Sequence, residues 1–224
     1  DIATDGSLTL RTQAEVDAFA RSGINTVEGN LTIGGEDEEN PVTNLDGLKN
    51  LVSVRCDLTI TAAYTGETLA GLENLTACES LRIGSAAHPN ETLRQLSLPA
   101  LKEIKGDLCV YGTALQTADF KSLQSVAGHF VLQSDALLQL TADELTTVAG
   151  NMTLIGTTAD EAKAPCEQMY FPKLQRIDGT LTLSRFDRLS GLGTTFGVLT
   201  QAGALRYEHL ALANTFEFPL IETT

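Results

Sequence analysis

Two carboxylates and an arginine stand in three successive copies of a repeated phrase. Asp57, Arg82 and Asp107 each adjoin a leucine that is followed two residues later by a second apolar residue. If these copies stack as parallel rungs about 4.8 Å apart, the two carboxylates lie roughly 10 Å from each other. Such a pair with a basic residue could cleave a polysaccharide, and the spacing does not exclude an inverting glycosidase. Surface ion pairing explains the same residues without chemistry, and we prefer it.

An apolar group interrupts the polar positions of the later copies. Tyr111, Val131 and Ile155 fall where other copies carry threonine or glycine. Exposed apolar clusters with a polar rim often mark partner sites, and an aromatic ring can anchor a protein or stack on a sugar. We therefore expect a ligand-binding face here, unless a loop or the C-terminal tail covers it. The polar neighbours in this prediction are Arg82, His129, Gln133 and Asn151.

The phrase behind both predictions reads Gly-x-Leu-x-Leu or Ile. Its first apolar residue recurs at positions 8, 31, 58, 81, 108, 130, 152, 181 and 205, so successive copies are 22 to 29 residues apart. A period in this range is one coil of a solenoid, in which each coil buries its apolar face only against its neighbours. We predict one all-β solenoid domain over 1–224, with about nine rungs. The clear repeats cover 5–183, and 184–224 is expected to form a degenerate rung and a C-terminal cap.

Each coil is expected to alternate apolar inward and polar outward residues in its main strand, after a glycine that lets the chain turn tightly. Leucines then recur every three residues, as in Leu45, Leu48 and Leu51, which predicts a short turn or 3₁₀ segment leading into a second strand. The main-strand residues expected to be buried are Leu31, Ile33, Leu58, Ile60, Leu81, Ile83, Leu108, Val110, Phe130, Leu132, Met152, Leu154, Leu181 and Leu183.

An N-terminal helix is predicted to cap the solenoid. Thr12 and Glu15 have the spacing of a capping box, and Val16, Phe19 and Ala20 form an apolar stripe that ends before Gly23. Open solenoid ends expose apolar residues and unpaired strands. We therefore expect a helix at about 13–22 that covers the N-terminal end.

The four cysteines lie too far apart for a zinc motif or a redox pair, and they are too few for a disulfide scaffold. Cys78 takes a place that other copies fill with Val or Ile, so we predict a small buried hydrophobe. Cys56 replaces the glycine of its copy, and a disulfide with Cys78 in the neighbouring coil is an open alternative.

Other polar motifs carry weaker expectations. The three histidines show no metal-ligand spacing, and the acidic run at 34–41 lacks the alternation of an EF-hand, so we expect no metal or cofactor. That run is read as a solvated loop. Four Asn-x-Thr sequons could be glycosylated in a eukaryotic secreted protein, although two coincide with the repeat. They begin at Asn30, Asn74, Asn90 and Asn151.

Composition limits the partners. The chain has 224 residues, 42% of them hydrophobic, and a net charge of −14. This charge argues against nucleic acid, whose binding needs clustered Lys and Arg. No apolar run approaches the ~20 residues of a membrane helix. The chain begins at Asp1 rather than Met, so we expect a leader that has been removed, and a lipid anchor would sit on it.

At this point the sequence resembles a known family. The strings Val27-Glu28-Gly29-Asn30-Leu31-Thr32-Ile33 and Leu45-Asp46-Gly47-Leu48 are similar to the receptor L domain, especially to kinase-free versions from surface proteins of gut Bacteroidetes. The likeness covers roughly 5–183. It implies a single-stranded right-handed parallel β-helix, a secreted or surface location, and binding rather than catalysis. The cysteine-rich flanks of the receptor domains are not evident, so a signalling function is not carried over.

The sequence therefore predicts a non-enzymatic binding or adhesion module of a secreted, cell-surface or periplasmic protein, most consistent with a bacterial envelope. Its ligand would be a protein or a glycan. The main alternative is a polysaccharide-degrading β-helix enzyme that uses Asp57 and Asp107 with Arg82. A structural stalk without its own ligand is a third reading.

Overall fold

The chain is a parallel β-solenoid. The structure is a computed structural model, and it describes residues 2–35, 39–157, 164–191 and 195–210. These contain one α-helix, α1 (Gln13–Ser22), and a 3₁₀ turn at Asp46–Leu48. The strands in chain order are β1 (Leu8–Leu10), β2 (Thr26–Val27), β3 (Leu31–Ile33), β4 (Ser53–Val54), β5 (Leu58–Ile60), β6 (Ala77–Cys78), β7 (Leu81–Ile83), β8 (Gln95–Ser97), β9 (Glu103–Ile104), β10 (Leu108–Tyr111), β11 (Thr117–Asp119), β12 (Ser125–Val126), β13 (Phe130–Gln133), β14 (Gln139–Thr141), β15 (Thr147–Val148), β16 (Met152–Ile155), β17 (Gln168–Tyr170), β18 (Arg176–Phe186) and β19 (Gln201–Leu210).

The repeated phrase forms the main sheet. Strands β1, β3, β5, β7, β10, β13, β16, β18 and β19 pair in that order, always in parallel, and give nine rungs in the described residues. The register places equivalent residues side by side, for example Leu108 next to Phe130 and Phe130 next to Met152. The predicted solenoid and its rung count are confirmed.

A second arm of the same sheet runs along the residues just before each phrase. The two-residue strands β2, β4, β6, β9, β12 and β15 stack in parallel, and β18 is long enough to belong to both arms. Their second residue is a buried Val, Ile or Cys, as in β12 and β6. The second strand predicted from the β-branched ends of the leucine runs is therefore present.

A separate small sheet lies on a third side of the later coils, and the sequence analysis did not predict it. It contains β8, β11, β14 and β17, all in parallel register. The central residue of each strand, such as Leu96 or Leu140, points inward and is buried, whereas its neighbours are exposed or half-buried. We call the outward side of these four strands the small-sheet face.

The core runs along the whole solenoid axis. All fourteen main-strand residues predicted to face inward have no exposed surface, among them Phe130 and Met152. The threefold leucines are buried too, and their spacing has a backbone cause. Leu48 donates to the Leu45 carbonyl and Leu51 to that of Leu48, both at 2.8 Å. Such consecutive i→i−3 bonds bring every third side chain to the same side.

The helix forms where the capping residues predict it. The Thr12 hydroxyl accepts from the Glu15 N–H, the Glu15 carboxylate accepts from the Thr12 N–H, and Gly23 ends the helix at φ 72°. Val16 and Phe19 are buried, but Ala20 is exposed, so its place in the apolar stripe was wrong. A side chain at Gly47 would collide with the Val16 carbonyl, because α1 packs closely on the 3₁₀ turn of the next coil.

The cysteines are free in the structure. Cys78 is buried, as predicted. Cys56 is exposed, with its Sγ 4.0 Å from the Glu28 carbonyl oxygen. The disulfide considered for these two residues is absent because one thiol faces solvent and the other faces the core.

Three further expectations concern the C-terminal end, the acidic run and a sequon. The ninth rung, β19, contains the degenerate copy around Leu205, whereas the C-terminal cap expected after it falls on 211–224, outside the described residues. The centre of the acidic run, 36–38, also lies outside them. The Asn90 side chain is fully buried in the fold, so the possibility of a glycan there was wrong.

Candidate functional site

The predicted apolar group assembles on the outer face of the main sheet. The register aligns Tyr111 with Gln133 and Gln133 with Ile155, on the consecutive strands β10, β13 and β16. Val131 lies beside Cys109 in the next column of the same strands. These side chains are all half-buried, so each presents part of its surface to solvent. We call this surface the main-sheet patch.

The four predicted polar neighbours border the patch. Arg82 is aligned with Cys109 from β7, and Gln133 lies between Tyr111 and Ile155. His129 and Asn151 are exposed and directly precede β13 and β16. The structure therefore brings all seven predicted residues to one face across four adjacent rungs.

The column that contains His129 and Asn151 has a structural role that the sequence analysis missed. The Asp107 Oδ1 atom accepts from the His129 N–H at 2.9 Å, His129 Nδ1 accepts from the Asn151 N–H at 2.9 Å, and Asn151 Oδ1 accepts from the Thr180 N–H at 2.9 Å. Ser80 Oγ serves the Asp107 N–H in the same way at 3.2 Å. We call this series the side-chain ladder.

The side-chain ladder also exists in the first coils. Ser7 Oγ accepts from the Asn30 N–H at 2.9 Å, and Asn30 Oδ1 from the Asp57 N–H at 3.1 Å. Each side chain thus satisfies a backbone donor at the bend of the following coil, where the sheet pairing does not reach. The only trace in the sequence is that this column holds polar side chains with an acceptor atom, which is also expected of solvated positions.

The ladder explains the repeat glycines. A side chain at Gly150 would lie 2.6 Å from both the Gly128 carbonyl oxygen and His129 Nδ1, and one at Gly179 would collide with Asn151 Oδ1. Neither residue has a positive φ. The need for glycine at these two positions is therefore steric and not a matter of a left-handed φ. They leave room for the ladder of the preceding coil.

Asp57, Arg82 and Asp107 form a partly exposed ion cluster. Arg82 Nη2 lies 3.3 Å from Asp107 Oδ2, and its Nε lies 3.8 Å from Asp57 Oδ2. The His129 N–H and the Arg82 guanidinium together lower the pKa of Asp107, against a smaller effect of burial. A glycosidase acid needs a raised pKa so that it holds its proton. The arrangement therefore opposes the acid role for Asp107.

The patch itself carries neutral groups. Burial raises the pKa of the Tyr111 hydroxyl and that of the Cys109 thiol. A thiol with a raised pKa is a poor nucleophile, because the thiolate is the reactive form. The patch is therefore an uncharged surface with a guanidinium at one border and an exposed imidazole at another.

Two further features, a metal site and a membrane-spanning helix, can be considered for the described residues. Within them, no group of three His, Cys, Asp or Glu side chains could hold a metal ion. No helix in the described part of the chain is both long and apolar enough to cross a membrane.

The fold defines the class of this protein, a parallel β-solenoid, and the comparisons with known proteins add no family to it. No protein-family model matches the chain, and no curated protein or solved structure is significantly similar to it. Any closer assignment therefore depends on the residues and their geometry.

Proposed function

We propose that the chain is a non-catalytic binding module that recognises a protein ligand through the main-sheet patch. The observation that carries this is the register of β10, β13 and β16, which groups Tyr111, Val131 and Ile155 on adjacent rungs. Elsewhere the same columns carry threonine, as in the aligned Thr9 and Thr32. Half-exposed aromatic and aliphatic groups gain nothing from water, but they gain by burial against a partner.

A protein suits this surface better than a glycan. A sheet face presents its outward side chains at a common level, and protein interfaces are built from an apolar centre with a polar rim. Tyr111 supplies the aromatic anchor, and Arg82 with Gln133 supplies charge and hydrogen bonds at the border. His129 and Asn151 have already committed one atom each to the side-chain ladder, so they contribute through their remaining polar atoms.

The cellular setting belongs to the same proposal. The order of glycine, strand and spaced leucines resembles the receptor L domain, in the form found in bacterial surface proteins. We infer on this ground a secreted or cell-envelope location, with any lipid anchor on a leader. The solenoid fold supports the resemblance, because the family has that architecture.

The enzyme reading is less favoured. Its carboxylates share one arginine, and the lowered pKa of Asp107 keeps that side chain ionised. A stalk without a ligand would have no reason to carry Tyr111 and Ile155 at outward positions where other copies have threonine or glycine. Both readings remain measurable outcomes of the experiment that follows.

The experiment uses the whole chain. Cell-surface proteins of the source organism are passed over the immobilised chain, a retained protein is identified and purified, and its dissociation constant is measured. Tyr111→Ala should weaken binding about tenfold or more, whereas Tyr170→Ala, on the small-sheet face, should leave it unchanged. Equal affinity of folded Tyr111→Ala and parent contradicts the proposal. Polysaccharide cleavage by the parent that Asp107→Asn abolishes would instead establish the enzyme.

A further inference from the structure

The small-sheet face carries a line of concavities. One cavity of about 220 Å³ adjoins Gln95 and Ser97, a second of about 300 Å³ adjoins Asp119 and Gln139, and a third of about 280 Å³ adjoins Gln168 and Tyr170. No described residue lines more than one of these cavities, but the strands that carry them are aligned. Gln95 is aligned with Thr117, Thr117 with Gln139, and Gln139 with Gln168.

The three cavities are separate, but the aligned strands place them in one line along the solenoid axis, which we call the small-sheet groove. From Gln95 to Gln168 it crosses four rungs, or about 14 Å at the usual strand spacing. Its floor is the outward side of β8, β11, β14 and β17. The inward residues of these strands are buried, so the floor presents only the polar side chains between them.

The groove offers amides, hydroxyls and one exposed ring. Gln95, Gln139 and Gln168 are exposed, and Ser97, Thr117 and Thr141 add hydroxyls along the same strands. Tyr170 is 42% exposed at the C-terminal end. Its hydroxyl donates to Gln168 Oε1, and the amide nitrogen of Gln139 donates to Thr141 Oγ1 at 3.3 Å. In the described part of the chain, no protein partner is found for the Gln168 amide nitrogen or the Gln139 amide oxygen, and both side chains line cavities of this face.

A donor and an acceptor on neighbouring rungs beside an aromatic ring suit a sugar. Sugar hydroxyls both donate and accept hydrogen bonds, and planar amides hold them in fixed directions. The C–H face of a sugar ring packs on an aromatic side chain. A peptide would require an open strand edge or apolar pockets along the sheet. Apolar lining lies at the two ends of this groove, from Leu69, Ala70 and Pro99 at one end and from Met169, Phe171 and Pro172 at the other. The middle is lined mainly by polar and charged side chains.

The charges of the groove select the kind of sugar. Glu73, Asp119 and Asp143 line it together with the single cation Lys121, among the described residues. The whole chain carries a net charge of −14. Carboxylates at this density repel a uronic-acid chain, so the groove favours an uncharged glycan.

We propose that the small-sheet groove is a second binding site, which takes a neutral, extended oligosaccharide with one sugar ring on Tyr170. This goes beyond the proposed function, because it assigns another face and another class of ligand. The two sites lie on different sides of the coil, and each has its own anchoring tyrosine.

The test is calorimetric titration of the whole chain with the hexasaccharides of glucose, xylose, mannose and N-acetylglucosamine, and with hexagalacturonate as the anionic comparison. At least one neutral hexasaccharide should bind, and more tightly than hexagalacturonate. Tyr170→Ala should weaken it about tenfold or more, and Gln168→Ala by a smaller factor. Tyr170→Phe keeps the ring and should retain most of the affinity. Thermal unfolding checks that each variant is folded.

Tyr111→Ala is the matched control, because it removes a tyrosine from the main-sheet patch and should leave glycan binding unchanged. Binding of none of the neutral hexasaccharides overturns the proposal, as does tighter binding of hexagalacturonate. A loss of glycan binding in Tyr111→Ala but not in Tyr170→Ala also overturns it, and would assign the glycan to the main sheet. Failure of the protein-ligand experiment leaves this result untouched.

Discussion

His129 Nδ1 accepts a hydrogen bond from the backbone N–H of Asn151, the equivalent residue one coil further on, at 2.9 Å. The bond requires an unprotonated Nδ1, so the neutral ring carries its proton on Nε2. The Nδ1 edge of the imidazole therefore joins two coils of the solenoid, and the Nε2 edge is available at the border of the main-sheet patch.

This bond can be separated from the rest of the histidine. His129→Asn keeps an acceptor of the kind that Asn151 offers to Thr180. His129→Ala leaves the Asn151 N–H to water. We expect Ala to lower the free energy of unfolding by about 0.5–1.5 kcal/mol and Asn to have a smaller effect, as measured by urea denaturation. Equal losses in the two variants would show that the bond contributes nothing.

The glycine requirement is testable at matched positions. Gly150→Ala places a methyl group 2.6 Å from His129 Nδ1 and from the Gly128 carbonyl oxygen, whereas a side chain at Gly6 meets nothing within 4 Å. We expect Gly150→Ala to cost about 1–3 kcal/mol through overpacking. Gly6→Ala should stay within about 1 kcal/mol of the parent. Similar melting temperatures for the two variants would contradict the ladder's role in selecting glycine.

Replacing Phe130 tests whether the core can close over a cavity between two rungs. Its ring is fully buried and meets the Phe120 ring edge-on, with centroids 5.9 Å apart. Phe130→Ala should cost about 3–5 kcal/mol, because the rungs above and below are pinned by their own pairing and cannot close the cavity. Leu138→Ala, at a side chain that is 50% exposed, is the control and should change stability little. Denaturant midpoints measure both, and an unchanged midpoint for Phe130→Ala would place the ring outside the core.

The ionised Asp107 side chain should stabilise the fold, and acid should remove this contribution. Its pKa is lowered in the fold, first by the His129 N–H and then by Arg82. Its unfolded value is about 3.9. A depressed pKa adds stability that is complete above the unfolded value and is lost as the pH falls towards the folded one.

The contribution should therefore disappear below about pH 4. Asp107→Asn retains an amide oxygen for the His129 N–H but cannot titrate, so its unfolding midpoint should fall less between pH 6 and pH 2 than that of the parent. At pH 7 the two should differ by about 1 kcal/mol or less, because the lost Arg82 pair is partly exposed. Parallel pH profiles would contradict this assignment.

The rungs could be read from the sequence because each one repeats its own surroundings. Leu108, Phe130 and Met152 meet the same neighbours one coil apart, so a local alternation of apolar residues already specifies the inward side. The main-sheet patch followed from the same alignment. Its register could be derived, whereas the extent to which other parts of the chain cover it could not.

The small sheet was not predicted because its pattern of apolar residues in the sequence is too short. Each strand has three residues with a single inward side chain, and one of these is Ala118. No glycine marks the start of these strands, and the segments before them have five residues in two coils and eleven and twelve in the other two. The groove on this face therefore depends on long-range pairing that no local pattern announces.

The side-chain ladder was not predicted from the sequence for a different reason. Asn30, Asp107, His129 and Asn151 are exposed or half-buried polar residues of several types, and such residues are read as solvated. Only the distance from each side chain to the next coil reveals their common task. Asn90 was misread in the same way, since its amide nitrogen donates to the Tyr64 carbonyl at 2.8 Å inside the core.

The direction of the ladder has a consequence for how such a protein can change length. From Ser80 to Asn151, each coil supplies an acceptor to a backbone N–H of the coil after it, and the steps from Leu108 to Phe130 and from Phe130 to Met152 are both 22 residues. A duplicated stretch of that length would meet a fitting donor and acceptor at its two junctions. Unequal recombination within the gene could therefore add or remove whole coils, each changing the length of the solenoid by about 4.8 Å along the axis while leaving older junctions intact.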